Sequence, residues 1–376
     1  MRSAWVVLVF ASAAAAQGIV DPGRIPGVVR RLEPQPDDRL VECSARPLKP
    51  AFNFSLRLQA GWMVRVPMSQ YEGTGHRWFI LTRITPEDGT HQPVYMGSRF
   101  RLPEVPRTRM EAEVGGVYLV GEGRYSVRWL LYDDSGRVCR HEWRIDARLG
   151  RRERDVSPGM SPGTVAAFSI RPPAGSRALD DAAPIRLTVL LDAAPLSPGH
   201  AVFRASDMLL MLGTLSSLLE HVPVLTLRLV VFNLDQQREL LREDAISAGV
   251  LDDVAQSVAN LQFGAVDYHI LQNPGGRAGL LARLINQEIR AQPPSDVVLF
   301  LGPRIGYADK LPPDALAAAQ GEKPRFFNFQ YFPFRGANAM LPDIVMQAVA
   351  KARGRTIVIH TPADFARAIE EIERAR

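Results

Sequence analysis

Hydrophobic and polar positions follow two different periods along this chain. Over residues 38–147 the period is two. Tyr125, Val127, Trp129 and Leu131 share one face, and Arg124, Ser126 and Arg128 the other. After Asp133-Asp134-Ser135-Gly136 the alternation resumes, with Cys139, His141, Trp143 and Ile145 set against Arg140, Glu142 and Arg144. Two such runs around a short Asp/Gly turn predict a β-hairpin with one buried face. Shorter runs at 40–43, 52–58, 63–66, 77–84, 93–96 and 111–120, punctuated by Gly and Pro, predict further strands. Several short strands at this spacing predict an antiparallel β-sandwich of immunoglobulin-like arrangement.

From Pro184 the pattern changes. Apolar runs at 187–191, 224–232 and 297–301 fit strands buried on both faces. The largely apolar stretch 203–219 and the faces Val250/Val254/Val258 and Leu281/Leu284/Ile285/Ile289 predict helices. Strands follow at 326–329 and 356–359, with a helix between them ending near Gly354. The last helix is signed by Thr361 as N-cap, Pro362 at the first position, Asp364 in the first turn, and Phe365, Ile369 and Ile372 on one face. This alternation predicts a doubly wound, mostly parallel α/β sheet. Residues 148–183 break both patterns. They hold Arg148, Arg151, Arg152 and Arg154, then Ser157-Pro158-Gly159-Met160-Ser161-Pro162-Gly163, and predict a linker with a short strand near 165–170. The expected division is therefore a leader at 1–16, a sandwich at 17–147, a linker at 148–183 and an α/β domain at 184–376.

The leader assignment rests on Arg2, the apolar run to Phe10 and the small residues up to Ala16, which together read as a secretory signal peptide. A retained N-terminal anchor is the alternative. No later segment reaches the length of a membrane-spanning helix, so the mature chain is expected to be secreted or periplasmic, without an integral membrane segment. In an oxidising compartment the two cysteines, Cys43 and Cys139, are expected to form one disulfide. The net charge of +5 raises the question of nucleic acid, but only four of the 45 basic residues are lysines and the arginines are scattered. The one local cluster lies in the linker, so no nucleic-acid partner is expected.

Leu187-Thr188-Val189-Leu190-Leu191-Asp192 before a long helix resembles the first strand and loop of a von Willebrand factor A domain. Leu229–Asn233 with the charged run to Asp244 is similar to that fold's second strand and edge hairpin. Asn273–Gly276 is similar to its Gly-rich loop, and Asp296–Leu301 to its fourth strand. Their order over residues 184–376 is similar above all to the VWFA-related group of acidobacterial secreted proteins. The resemblance implies a metal-ion-dependent adhesion site built from an Asp-x-Ser-x-Ser loop, a Thr and a second Asp. Here Asp192 is present, but Ala194 and Leu196 replace the serines. No Ser or Thr occurs over 268–294, and Gly302-Pro303-Arg304 stands where the second Asp belongs. One carboxylate holds a hard divalent cation poorly, so no metal is expected at this site, and no cofactor elsewhere. Asp192 then reads as a structural carboxylate, paired with Arg304 or capping a helix.

Ligands of open α/β sheets sit beyond the carboxyl ends of the strands. Asp192, Asn233, Arg304 and His360 are expected to cluster there as candidate partner-binding residues. No catalytic motif is complete. Gly159-Met160-Ser161-Pro162-Gly163 matches G-x-S-x-G, but Pro162 lacks the N–H an oxyanion hole needs. Asn53-Phe54-Ser55 matches a glycosylation sequon in a predicted strand interior. The aromatic run from Phe326 to Phe334 reads as a buried strand followed by either core or a contact site. The reading is an exported, non-enzymatic interaction or scaffolding protein with an unidentified protein partner. The alternative is an extracytoplasmic enzyme using Asp192 and His360 in one cleft. Ligand sensing by the sandwich has no residues behind it in the sequence.

Overall fold

The computed structural model describes residues 17–25, 27, 32–73, 75–104, 108–170, 184–196, 202–244, 249–259, 261–262, 268–304, 307, 309–317, 323–331 and 343–374. The predicted leader lies outside the described residues. The chain divides after Ser169 into two units.

The first unit contains β1 (Gly18–Ile19), β2 (Arg39–Leu40), β3 (Ser44–Phe52), β4 (Leu58–Pro67), β5 (Arg77–Pro86), β6 (Val94–Arg101), β7 (Glu111–Val120), β8 (Gly123–Asp133), β9 (Arg137–Ala147) and β10 (Val165–Ala167). They form two sheets, β1-β6-β5-β8-β9-β2 and β10-β7-β4-β3. The predicted hairpin is β8–β9, in register Leu131↔Cys139, Trp129↔His141 and Val127↔Trp143. Its apolar face packs inward, where Trp129 meets Trp62 of the other sheet edge to face at 5.5 Å. Both rings are wholly buried, and each contributes about 4–6 kcal/mol of transfer free energy as an upper bound. The Cys43–Cys139 disulfide ties the segment entering β3 to β9, with the Cα atoms 6.2 Å apart.

Three stretches differ from the sequence reading. Residues 44–52, broken by Pro47 and Pro50, form β3, an edge strand that carries a register shift between Leu48 and Ala51. An edge is where proline is tolerated. Residues 53–57 are a turn and not a strand. Asn53 Oδ1 accepts from the N–H groups of Ser55 (3.0 Å) and Arg57 (3.2 Å), and Leu56 adopts φ 53°. The sequon asparagine therefore spends its side chain on its own backbone. In the predicted linker, β10 pairs with β7 at Val165↔Val120, and Gly121 N–H donates to Thr164 O at 2.9 Å. Residues 148–169 thus belong to the first unit, and 171–183 lie outside the described residues.

The second unit contains β11 (Ile185–Asp192), α1 (Ala205–His221), β12 (Val224–Asn233), β13 (Arg238–Glu243), α2 (Val250–Ala259), α3 (Tyr268–Gln272), α4 (Gly276–Arg290), β14 (Val297–Pro303), β15 (Arg325–Tyr331), α5 (Ile344–Lys351), β16 (Arg355–Ile359) and α6 (Pro362–Arg374). The sheet order is β13-β12-β11-β14-β15-β16, parallel throughout except for β13 at one edge. Every residue of β14 is buried, which explains its unbroken apolar run. Leu281 and Leu284 of α4 and Val349 of α5 pack with Leu190, Val230 and Phe300 on one face. On the other, Phe365 of α6 meets Phe329 edge to face at 6.3 Å. Helix α6 starts as its sequence signals predict. Thr361 N–H donates to Asp364 Oδ2 (2.9 Å), and Asp364 N–H donates back to Thr361 Oγ1 (3.2 Å). Tyr331 of the aromatic run is core, and 332–334 lie outside the described residues.

The five tryptophans all precede residue 148, so their emission follows the first unit alone. Replacing Cys43 and Cys139 together by alanine is expected to lower this unit's stability by about 2–5 kcal/mol. In urea titrations followed by tryptophan emission, the midpoint falls; an unchanged midpoint contradicts the stabilising role.

Candidate functional site

The parallel sheet reverses its winding between β11 and β14. From β11 the chain builds outward through β12 and β13, then returns to add β14, β15 and β16 on the other side. A reversal of this kind splays the connecting loops apart and leaves a crevice beyond the carboxyl ends of the two strands. Asp192 is the last residue of β11 and stands at this point. It is 5% exposed, and both carboxylate oxygens are buried without a hydrogen-bond partner. Ala194 and Leu196, Leu210 and Met211 of α1, Gly302 and Pro303 close around it, leaving a cavity of about 10 Å³. That space holds at most one water. A Cβ on Gly302 would lie 2.7 Å from the Asp192 Cβ, so only glycine lets the two strand ends approach this closely.

The neighbouring polar groups are committed to holding the backbone. Asp207 accepts from the N–H groups of Arg204 (3.0 Å) and Leu196 (3.3 Å), capping α1 and shaping the loop after β11. Asn233 is fully buried. Its Nδ2 donates to Ala193 O at 2.7 Å, and its Oδ1 accepts from Gln236 N–H at 2.8 Å. It staples the end of β12 to the loop after β11, and its amide faces the backbone, not solvent. Asp343 caps α5 through the Met346 N–H at 2.8 Å and also binds Gln330. Arg304 follows β14; its charge acts favourably on Asp343 and its N–H donates to Tyr331 O at 3.1 Å. The expected pairing of Asp192 with Arg304, or its use as a cap, is not what the structure shows.

Burial pushes the Asp192 carboxyl well above the usual carboxylate range, and the negative charges of Asp343 and Asp235 push it further. Such surroundings favour the neutral acid. Burial also raises Asp343, against the pull of the Met346 N–H and Arg304. Beside them, Tyr307 donates to Asp235, and Arg277 lies 4.1 Å over the Tyr307 ring and within 3.8 Å of Asp235. Asp235, Arg277, Tyr307 and Asp343 escaped the sequence reading. Only Asp343, set before the apolar face of α5, carries a capping signal that sequence alone could have supplied.

His360 follows β16 at the far edge of the sheet. Two strands separate it from β11, so three inter-strand steps, about 14 Å, lie between it and Asp192. The acid–base pair on which the enzyme alternative rests does not form. The His360 N–H instead donates to Asp364 Oδ2 at 3.2 Å, within the start of α6. Among the described residues, three His, Cys, Asp or Glu ligand atoms converge within 4.8 Å only at Cys43, Cys139 and His141. There the sulfurs are joined to each other, and burial pushes the His141 pKa down.

No family model matches the chain, and no curated protein matches it. Among solved structures it is similar to a superoxide reductase (neelaredoxin) from Ignicoccus hospitalis, 15% identical, with a TM-score of 0.20 over 28% of this chain and 80% of that one. It is also similar to a putative ApaA protein from Bordetella pertussis, 11% identical, with a TM-score of 0.20 over 30% of this chain and 99% of that one. Likenesses of this size carry no functional argument, which rests on the site itself.

A carboxyl raised by folding makes stability fall as pH rises. Between the ordinary value near 4 and the raised folded value, the native state binds a proton that the unfolded chain has lost. Asp192→Asn removes this loss while keeping the shape. The helices α1–α6 all lie in the second unit, so the helical signal of far-ultraviolet melts follows that unit. The variant is expected to melt with wild type at pH 4 and above it at pH 8, by about 2–4 °C per kcal/mol recovered. A lower melting temperature at pH 8 would mean an ionised, useful carboxylate.

Proposed function

We propose that this protein is an exported, non-enzymatic interaction or scaffolding protein. In this reading an immunoglobulin-like sandwich precedes a von Willebrand A-like unit whose metal-dependent adhesion site is degenerate. The observation that carries it is Asp192, buried, unpartnered and driven toward the neutral acid. A hard divalent cation needs several converging oxygens, whereas Ala194, Leu196, Gly302 and Pro303 offer this carboxyl no side-chain ligand. The sheet order, with its single antiparallel edge strand, and the β12–β13 edge hairpin support the von Willebrand A reading. The inter-sheet disulfide beside Trp129 and His141 supports the immunoglobulin-like reading and an oxidising compartment. No helix among the described residues is long and apolar enough to cross a membrane.

The partner face is the rim of the crevice and not its floor. The floor is closed to anything larger than a water, while Arg304, next to the lining Pro303, and Tyr307, whose phenol feels the Asp192 charge, are part-exposed. A polar rim around a closed centre suits a protein surface better than a small substrate.

Thermal unfolding in EDTA and in millimolar Mg²⁺, Mn²⁺ or Ca²⁺ tests the degenerate site, because a cation bound to the native state must raise its melting temperature. No shift is expected; a shift abolished by Asp192→Ala overturns the reading in favour of metal-dependent adhesion. The partner face is tested by capture with the tagged full chain from the extracytoplasmic fraction in EDTA. A protein held by wild type and lost with Arg304→Glu is expected. Equal capture by both moves the partner away from this crevice and overturns the assignment.

A further inference from the structure

The first unit has a cleft of about 970 Å³ at the ends of β5, β6 and β8, beside the N-terminal segment. Residues of that segment, Ile25 and Leu32, cover part of the sheet's outer face, packing on Leu81, Leu130 and Val138. Among the described residues the cover reaches as far as Phe79 and Tyr132, a directly opposed pair on β5 and β8, whose rings border this cluster and line the cleft. The Phe79 ring tip comes within 3.2 Å of where a Gly97 Cβ would stand, so glycine there makes room for the ring. The cleft falls within the 300–1,000 Å³ that small-ligand sites typically occupy, to order of magnitude.

Its rim is cationic. Register places Arg77 opposite Arg101 and Phe79 opposite Arg99, so three arginines rise on the face that carries Phe79. The opposed pair starts about 5 Å apart, and Arg99 lies about 7 Å along β6 from Arg101. Like charges directly opposed across strands destabilise a sheet. Among the described residues no acid neutralises these three. Asp133, in the same cleft, is taken by Arg137 (2.8 Å) and Tyr71 (3.1 Å). Asp134 faces His76 at 3.4 Å, and Asp21 is held by the Gly23 N–H (2.8 Å) and Arg24 (3.8 Å). Guanidinium forks grip oxyanions through paired N–H groups, and aromatic faces receive flat rings.

We propose that this cleft binds a small anionic ligand: an oxyanion joined to a flat ring, its head held by Arg77, Arg99 and Arg101 and its ring laid on Phe79 and Tyr132. The site belongs to the first unit and stands independently of the partner face. It gives the sandwich a binding chemistry of its own.

The test is titration calorimetry of the full chain at constant ionic strength with phenyl phosphate, phenyl sulfate, benzoate, inorganic phosphate and benzyl alcohol. At least one ring-bearing anion is expected to saturate one site per chain, tenfold or more tighter than inorganic phosphate, with no binding of the alcohol. Their ranking identifies the head group. Arg99→Gln and Arg101→Gln each lower the affinity at least tenfold, while Phe79→Leu removes the advantage of the ring. Unchanged tryptophan emission shows that the variants remain folded, as expected for exposed arginines. Absence of saturable binding by all three ring-bearing anions overturns the proposal, as does binding that the arginine substitutions leave intact.

Discussion

Asp192 closes the central strand of the parallel sheet at a point where, among the described residues, nothing donates to it. An ionised carboxylate in such a place is expensive, and the surroundings answer by favouring the neutral form. Much of that end of the unit follows from this constraint. Gly302 must be glycine for β14 to pass the Asp192 side chain. Asp207, Asn233 and Asp343 each satisfy backbone N–H or C=O groups where strands stop and helices start, so none is spare to join Asp192. The result is a tightly closed strand end with a polar periphery.

The α/β half was readable because its physics is local. Strands buried on both faces must be continuously apolar, and helices over them must repeat every 3.6 residues. Runs such as 297–301 and caps such as Thr361 with Asp364 record those demands within a few residues. The β8–β9 hairpin was readable for the same reason, as its two faces see core and solvent alternately. Where the reading failed, a residue type was taken for its commonest use. Residues 44–51 carried no predicted strand, yet Pro47 and Pro50 sit in an edge strand, where the missing N–H costs little. Asn53 lay in an apolar run but bends the chain with its side-chain Oδ1, which accepts from the Ser55 and Arg57 N–H groups. The short strand near 165–170 was read correctly, but the Gly/Pro-rich stretch before it belongs to the first unit and not to a separate linker, because that strand adds to a sheet built earlier in the chain.

The sites were less readable because they depend on lateral order. Sequence locates strand ends but not their neighbours. Asp192 and Asn233 end adjacent strands and Arg304 follows β14, as the α/β reading anticipates. His360 ends a strand too, but the order β11-β14-β15-β16 carries it to the edge. Asp343 lies 151 positions from Asp192 along the chain, yet its charge is the strongest that this carboxyl feels. No periodicity within one element encodes that proximity.

The same distinction separates arginine as composition from arginine as a site. Across the chain the excess of basic over acidic residues is only 45 against 40, and many arginines meet acids where they stand. Arg140 pairs with Asp38, Arg186 with Asp296 and Arg228 with Glu288. These pairs neutralise the field locally, and Glu288, itself buried, is held by Arg228 and by the Thr188 hydroxyl. What makes Arg77, Arg99 and Arg101 different is neither their number nor their type. Register brings them onto one face, the nearby acids are already engaged, and the aromatic rings of Phe79 and Tyr132 lie alongside. An anion entering there meets guanidinium groups that, among the described residues, no nearby acid has neutralised, and an apolar floor at once.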